Sequence, residues 1–167
     1  MPKAVILIRH AEKPIPEEAS PSLSERGWQR AKLLPQIFVN NQTLSQISLP
    51  DYLFAAGLEN KDSSRRSIET LQYLSKSIQV PINDFFKRDD YKDLVDEILQ
   101  NPQYNNKVIM IAWQHKILSK IAGRLGVSPK PEWDDEKFDR IWLITFWDNH
   151  LLFKDMPQRL LPGDSDL

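Results

Sequence analysis

The chain has 167 residues, of which 41% are hydrophobic and 27% charged, with a formal net charge of -1; these are the proportions of one globular domain able to bury a core unaided. It contains no cysteine, which excludes disulfides, thiolate metal sites and thiol nucleophiles, and the balanced charge excludes the basic footprint of a nucleic-acid binder. Its three histidines, at 10, 115 and 150, have no metal-ligand spacing, so any chemistry is expected from His, Arg and carboxylates, without a metal or cofactor.

The first element is an apolar run over residues 3–8 that reads as a strand and stops at Arg9-His10. It is too short for a signal-peptide core or a membrane span, so a cytoplasmic protein with no membrane partner is the expectation. A helical pattern follows over residues 24–38, with Pro35 inside it as a kink or stop. Residues 40–50 read as a polar connection to a second strand over 52–56. Residues 63–78 form the clearest helix, with Ile68, Leu71, Leu74 and Ile78 on one face. After a mixed connection over 79–90 come a helix over 91–99 and a strand over 107–112. The latter's Val108-Ile109-Met110-Ile111 core is apolar without alternation, as in a strand covered on both faces. A helix over 115–125, a strand over 141–147 and an antiparallel return over 150–154 complete the order, the last two joined by a turn at Asp148-Asn149.

Strands alternating with helices predict a three-layer α/β sandwich, a mostly parallel sheet flanked by helices. One domain over residues 1–155 and a loose tail over 156–167 are expected. In such a sheet ligands gather beyond the carboxyl ends of the strands. That edge would collect Arg9-His10, the Ser63-Ser64-Arg65-Arg66 opening of one helix and the Gln114-His115 opening of another. Two histidines, at least two arginines and two helix N-termini form a set suited to a dianion such as a phosphoryl group.

Four blocks carry a family likeness. Arg9-His10-Ala11-Glu12 resembles the RHG signature of the histidine phosphatase superfamily, which includes phosphoglycerate mutases and acid phosphatases. The segment from Leu23 through Ser24 and Gly27 to Gln29-Arg30-Ala31 resembles its L-T/S-x-x-G-x-x-Q-A block. The segment from Ser64 through Arg66 to Thr70-Leu71 resembles its S-x-x-R-A-x-Q-T-A block, and the run from Val108 to His115 its strand ending in a second histidine. The resemblance covers residues 3–126. Ala112-Trp113-Gln114-His115-Lys116 and Phe138-Asp139-Arg140-Ile141-Trp142 are similar to a small, poorly characterised subgroup.

The resemblance implies a phosphoglycerate mutase-like fold and a metal-independent phosphatase. His10 would be the nucleophile that becomes phosphorylated, and Arg9, Arg66 and His115 would hold the phosphoryl oxygens. Arg66 is the better match than Arg65 because Thr70 lies four residues on. The partner implied is a small phosphorylated substrate, either a metabolite or a phosphohistidine or other phosphoramidate; oligomeric state is open.

The departures bear on the general acid. Ala11 stands where glycine is usual, Lys116 follows the second histidine where the acid-phosphatase branch has its aspartate, and the mutase branch's Gly-x-x-Glu segment is absent. Asp90 lies about where the acid falls in the mutase branch, and Glu12, two residues from His10, is the alternative. The missing acid motif keeps a second reading open, a non-catalytic phosphate-binding pseudophosphatase. The Trp133-Asp134-Asp135 loop is placed where it could overhang the pocket mouth.

Overall fold

A computed structural model describes residues 1–167. The chain runs β1 (Ala4–Arg9), α1 (Glu25–Leu33), two single-turn helices α2 (Ile37–Asn40) and α3 (Gln42–Ser45), then β2 (Tyr52–Ala55) and α4 (Arg66–Ile78). It continues through β3 (Ile82–Asn83), α5 (Tyr91–Gln100), β4 (Val108–Trp113), α6 (His115–Leu125), β5 (Arg140–Trp147) and β6 (His150–Pro157). The six strands form one sheet in the order β3-β2-β4-β1-β5-β6. The first four are mutually parallel, whereas β5 runs antiparallel to β1, and β6 to β5.

Every residue of β1 and β4 is buried, so the side chains of each strand alternate between two cores. Val5, Leu7, Ile109, Ile111 and Trp113 face the side covered by α5 and α6. Ala4, Ile6, Ile8, Met110 and Ala112 face the side covered by α2, α3 and α4. This is the expected three-layer sandwich, with two antiparallel strands at one edge.

Local chemistry explains where the boundaries depart from expectation. The helix expected over 24–38 breaks at Leu34–Gln36, a 3-10 turn around Pro35, because proline supplies no amide hydrogen to the ladder. The helix expected from residue 63 starts at Arg66, since the Ser63 hydroxyl instead accepts the amides of Glu59 and Asn60 and closes a turn. Within the connection over 79–90 a two-residue strand, β3, pairs with β2, too short to show a period. The boundary expected at residue 155 falls inside β6, and the tail is anchored. Asp164 accepts bonds from Arg30 and from the amides of Leu160 and Leu161, while the Ser165 amide donates to Asp139.

Candidate active site

Parallel pairing brings three strand ends to one edge. Arg9 stands opposite Trp113 in the β1–β4 register, and Ala55 opposite Ala112 in the β2–β4 register, so the residues that follow each strand surround one opening. That opening is a cavity of about 500 Å³ with a single hydrophobic lining residue. Arg9, His10, Arg66 and His115 all line it, together with Lys13, Arg88 and Lys116, against two carboxylates, Glu17 and Glu59. The groups that chain order separates by more than a hundred residues therefore meet in one electropositive pocket.

His10 is 6% exposed, and its Nδ1 lies 2.8 Å from the Ala11 carbonyl oxygen. A carbonyl can only accept, so Nδ1 carries the ring hydrogen and Nε2 keeps its lone pair. Burial is the main reason the imidazole is pushed down to about 3, with Arg9, Arg66 and Lys13 adding to it and the Ala11 carbonyl opposing it. The ring is thus unprotonated and of fixed orientation throughout the neutral range.

Its backbone is held from two sides. Thr70 on α4 accepts the Ala11 amide at 2.8 Å and donates to the Arg66 carbonyl, which ties the end of β1 to the helix that carries Arg66. The Glu12 carbonyl accepts both the Ser24 amide and the Ser24 hydroxyl, and Ser24 in turn caps α1 through the Gly27 amide. Gly27 is required there, because a Cβ would come within 2.3 Å of the Glu12 carbonyl oxygen. Glu69 performs a similar task by accepting the Leu23 amide. The motif residues around the arginine and histidine are therefore mostly clamps on the loop that presents His10.

The two arginines are fixed by backbone carbonyls rather than by carboxylates. Arg66 donates from Nη2 to Glu17 and Ser20 and from Nε to Ser22, which leaves Nη1 free of hydrogen bonds and 3.9 Å from the Glu17 carboxylate. Arg9 donates from Nη1 to the carbonyls of Asp135 and Lys137 and lies 3.8 Å over the Phe138 ring. Its Nε is buried without a partner. Burial lowers the Arg9 guanidinium to about 10, although Asp135 and Glu12 oppose this, so its charge is retained at pH 7. Arg66 is lowered by burial too, against the pull of Glu17 and Glu69. Arginines fixed by neutral carbonyls keep their charge available for an incoming anion.

His115 opens α6, and the Gln114 side chain caps that helix through the Ile117 amide. Its Nε2 lies 2.7 Å from Asp135 Oδ1, while its Nδ1 is buried with no partner. Burial and Arg9 hold the ring below its ordinary value, against the pull of Asp135. The 133–138 loop does reach the site, through the Asp135 side chain and the carbonyls that Arg9 grips.

Neither sequence candidate for the acid lines the pocket. Asp90 caps its own loop by accepting the Lys87 amide at the start of α5. The Glu12 carboxylate faces away to Arg30 and Arg26. Both are surface or clamp carboxylates because a competing donor lies nearer than the cavity. Glu17 is paired with Lys13 at 2.6 Å, whereas the Glu59 carboxylate has neither an ion pair nor a hydrogen bond. Glu59 lies in the 57–62 loop, a segment without periodicity or motif, and nothing in its sequence context distinguishes it. Gly57, where that loop leaves β2, bonds to the Phe86 carbonyl, and a Cβ there would meet the Asp84 oxygen at 2.0 Å. Arg65 turns outward to the Ser22 hydroxyl. No group of three or more His, Asp or Glu side chains is disposed to hold a metal ion, and no helix is long and apolar enough to cross a membrane.

No protein-family model and no curated protein sequence matches the chain. Solved structures do. The protein histidine phosphatase SixA complexed with tungstate superposes with a TM-score of 0.67 at 10% identity, covering 93% of this chain and 97% of its own. A phosphoserine phosphatase mutant from Entamoeba histolytica, in complex with phosphoserine, gives 0.61 at 14% identity over 95% and 98% of the two chains. The phosphoglycerate mutase of Plasmodium falciparum gives 0.61 at 11% identity over 97% and 95%. Likeness at such identity is a likeness of architecture, and the chain has a phosphoglycerate mutase-like α/β fold.

Proposed function

We propose that this protein is a metal-independent phosphatase that works through a phosphohistidine at His10. The observation that carries this reading is the His10 ring, whose Nδ1 hydrogen is spent on the Ala11 carbonyl while Nε2 stays unprotonated in a pocket of fixed positive charge. A dianion in that pocket meets Arg9 Nε and Arg66 Nη1, donors left unused by the fold, and His115 Nδ1, which donates once the ring takes up a proton. Nε2 of His10 attacks phosphorus, the bond from phosphorus to the leaving atom breaks, and its electron pair departs with the leaving group. Water then attacks the phosphohistidine, the P–N bond breaks, and inorganic phosphate leaves with His10 neutral again. The fixed donors stabilise the charge on the equatorial oxygens in both steps.

A leaving alkoxide needs a proton, and we assign that role to Glu59, the pocket carboxylate with no partner. Glu17 is unsuited because Lys13, through a hydrogen bond and its charge, lowers it and keeps it ionised. A phosphoramidate or phosphohistidine leaves as a neutral nitrogen base already protonated in solution, so a site with one solvent-reaching carboxylate favours that class, with small phosphomonoesters as the slower alternative. The protein is mixed with an aryl phosphate and with a phosphoramidate, quenched in alkali and examined by mass spectrometry, with His10→Ala alongside. A phosphoryl group on His10, absent in the variant, is the expected result. Phosphate binding without label or turnover would instead identify a pseudophosphatase.

A further inference from the structure

We propose that Asp135 is a positioning residue of the phosphoryl site, which accepts the Nε2 hydrogen of His115 and so commits Nδ1 to the bound phosphoryl oxygen. The proposal rests on the pocket being a phosphoryl site. Three observations support it. A carboxylate only accepts, so the 2.7 Å contact fixes the hydrogen on Nε2 and leaves Nδ1 as the nitrogen that must gain a proton before it can donate. That Nδ1 is buried without a partner, in a residue that lines the pocket and is 7% exposed, which is costly unless a ligand supplies one. Finally, the loop that carries Asp135 is joined to the other phosphate-binding group, because Arg9 Nη1 donates to the carbonyls of Asp135 and Lys137. One loop therefore orients the guanidinium of Arg9 and the imidazole of His115 together.

The charges around His115 make the role specific. Arg9 on β1 and Lys116 on α6 disfavour an imidazolium, and His10 and Arg66 stand across the same cavity. Asp135, from the loop before β5, is the carboxylate that touches the ring. With the pocket empty, burial and Arg9 keep His115 neutral. When a dianion arrives, its charge and that of Asp135 flank the ring on both sides, a proton is taken up from solvent on Nδ1, and a neutral wall becomes a charged donor. The carboxylate is 70% exposed, so its influence is partly screened and the effect of removing it is moderate.

The test follows the imidazole nitrogens of His115 by NMR through a pH titration, with and without orthophosphate, in the wild type, Asp135→Asn, Asp135→Glu and Glu136→Gln. Asparagine keeps an acceptor for Nε2 but no charge. In Asp135→Asn the His115 midpoint is expected to fall by about one pH unit in the free protein and in the phosphate complex, and the phosphate Kd at pH 7 to rise about tenfold. Asp135→Glu should recover part of the shift, and Glu136→Gln should leave both values unchanged. An unchanged midpoint in Asp135→Asn, or an unprotonated Nδ1 in the wild-type phosphate complex, overturns the proposal. If orthophosphate does not bind the wild type, the phosphatase reading fails by itself, and the free-protein midpoint still decides the role of Asp135.

Discussion

His10 binds no proton in the folded state until the pH falls to about 3, whereas in the unfolded chain an ordinary histidine takes one up near 6.5. Between those values the unfolded state holds the extra proton, so stability is full above about 6.5 and declines as pH falls toward 3. In His10→Asn, whose amide can still donate to the Ala11 carbonyl, the slope of unfolding free energy over that window should be shallower by up to about 1.4 kcal/mol per pH unit; urea melts at a series of pH values measure it. His115, also held low, contributes a slope of the same sign that persists in the variant. The proton assignment at Glu59 has its own signature. Glu59→Gln should lower kcat for an alkyl phosphate about a hundredfold and leave a phosphoramidate within about threefold, because only the alkoxide needs an acid. Equal losses on both substrates would remove Glu59 from that role. At this scale His10, His115, Arg9 and Arg66, which line the pocket, were legible as residue types at the ends of elements. The carboxylates that line it were not, because Asp90 and Glu12 look equally available in a sequence that does not reveal which amide or guanidinium lies beside them.

Among the elements, the junction of β1 with α4 decides whether His10 is presented correctly. Thr70 is 1% exposed and bridges the Ala11 amide and the Arg66 carbonyl. Thr70→Val keeps the shape and orphans a buried amide, which should cost about 1–3 kcal/mol and, under the proposed mechanism, reduce kcat more than it raises KM, since that loop would carry the attacking ring. Denaturant unfolding and steady-state kinetics on one preparation check both. The spacing from Arg66 to Thr70 places both on one face of α4, and this was readable in the chain. What required the fold was the identity of the loop that Thr70 grips, 59 residues earlier. The reverse holds at Trp133-Asp134-Asp135, whose place on the loop before β5 suggests an overhang of the pocket mouth while giving no sign that Asp135 meets His115.

In the whole molecule the chain's end closes on its beginning. Arg30, 3% exposed, donates to Glu12, Gln158 and Asp164. Burial disfavours its charge, yet the carboxylates of Asp164 and Glu12 outweigh this and hold it cationic far above neutral pH. Asp164 sits at about 2; burial would raise it, but Arg30 and the amides of Leu161 and Leu160 dominate. Its contribution is therefore present above about pH 4 and is lost as pH falls through 2. Asp164→Ala leaves a buried guanidinium half paired and should cost about 3 kcal/mol, or roughly 10 °C in Tm, with the phosphate site keeping its affinity; calorimetry and phosphate titration separate the two. The tail's prolines and late acids resemble a loose end in sequence because the partners that tie it to the body, Arg30 for Asp164 and Asp139 for the Ser165 amide, lie more than twenty residues away.

Periodicity and punctuation by themselves determined the order of the longer strands and helices, the two-sided burial of β4 and the gathering of Arg9, His10, Arg66 and His115 at one sheet edge. Each of these follows from interactions within a few residues, or from the rule that parallel strands present their carboxyl ends together. The tertiary structure alone decided which carboxylates face the pocket, that Asp135 meets His115, and that residues 158–167 belong to the folded body. Those outcomes depend on which donor lies within 3 Å of a given oxygen, a distance between segments remote in sequence that no local pattern encodes.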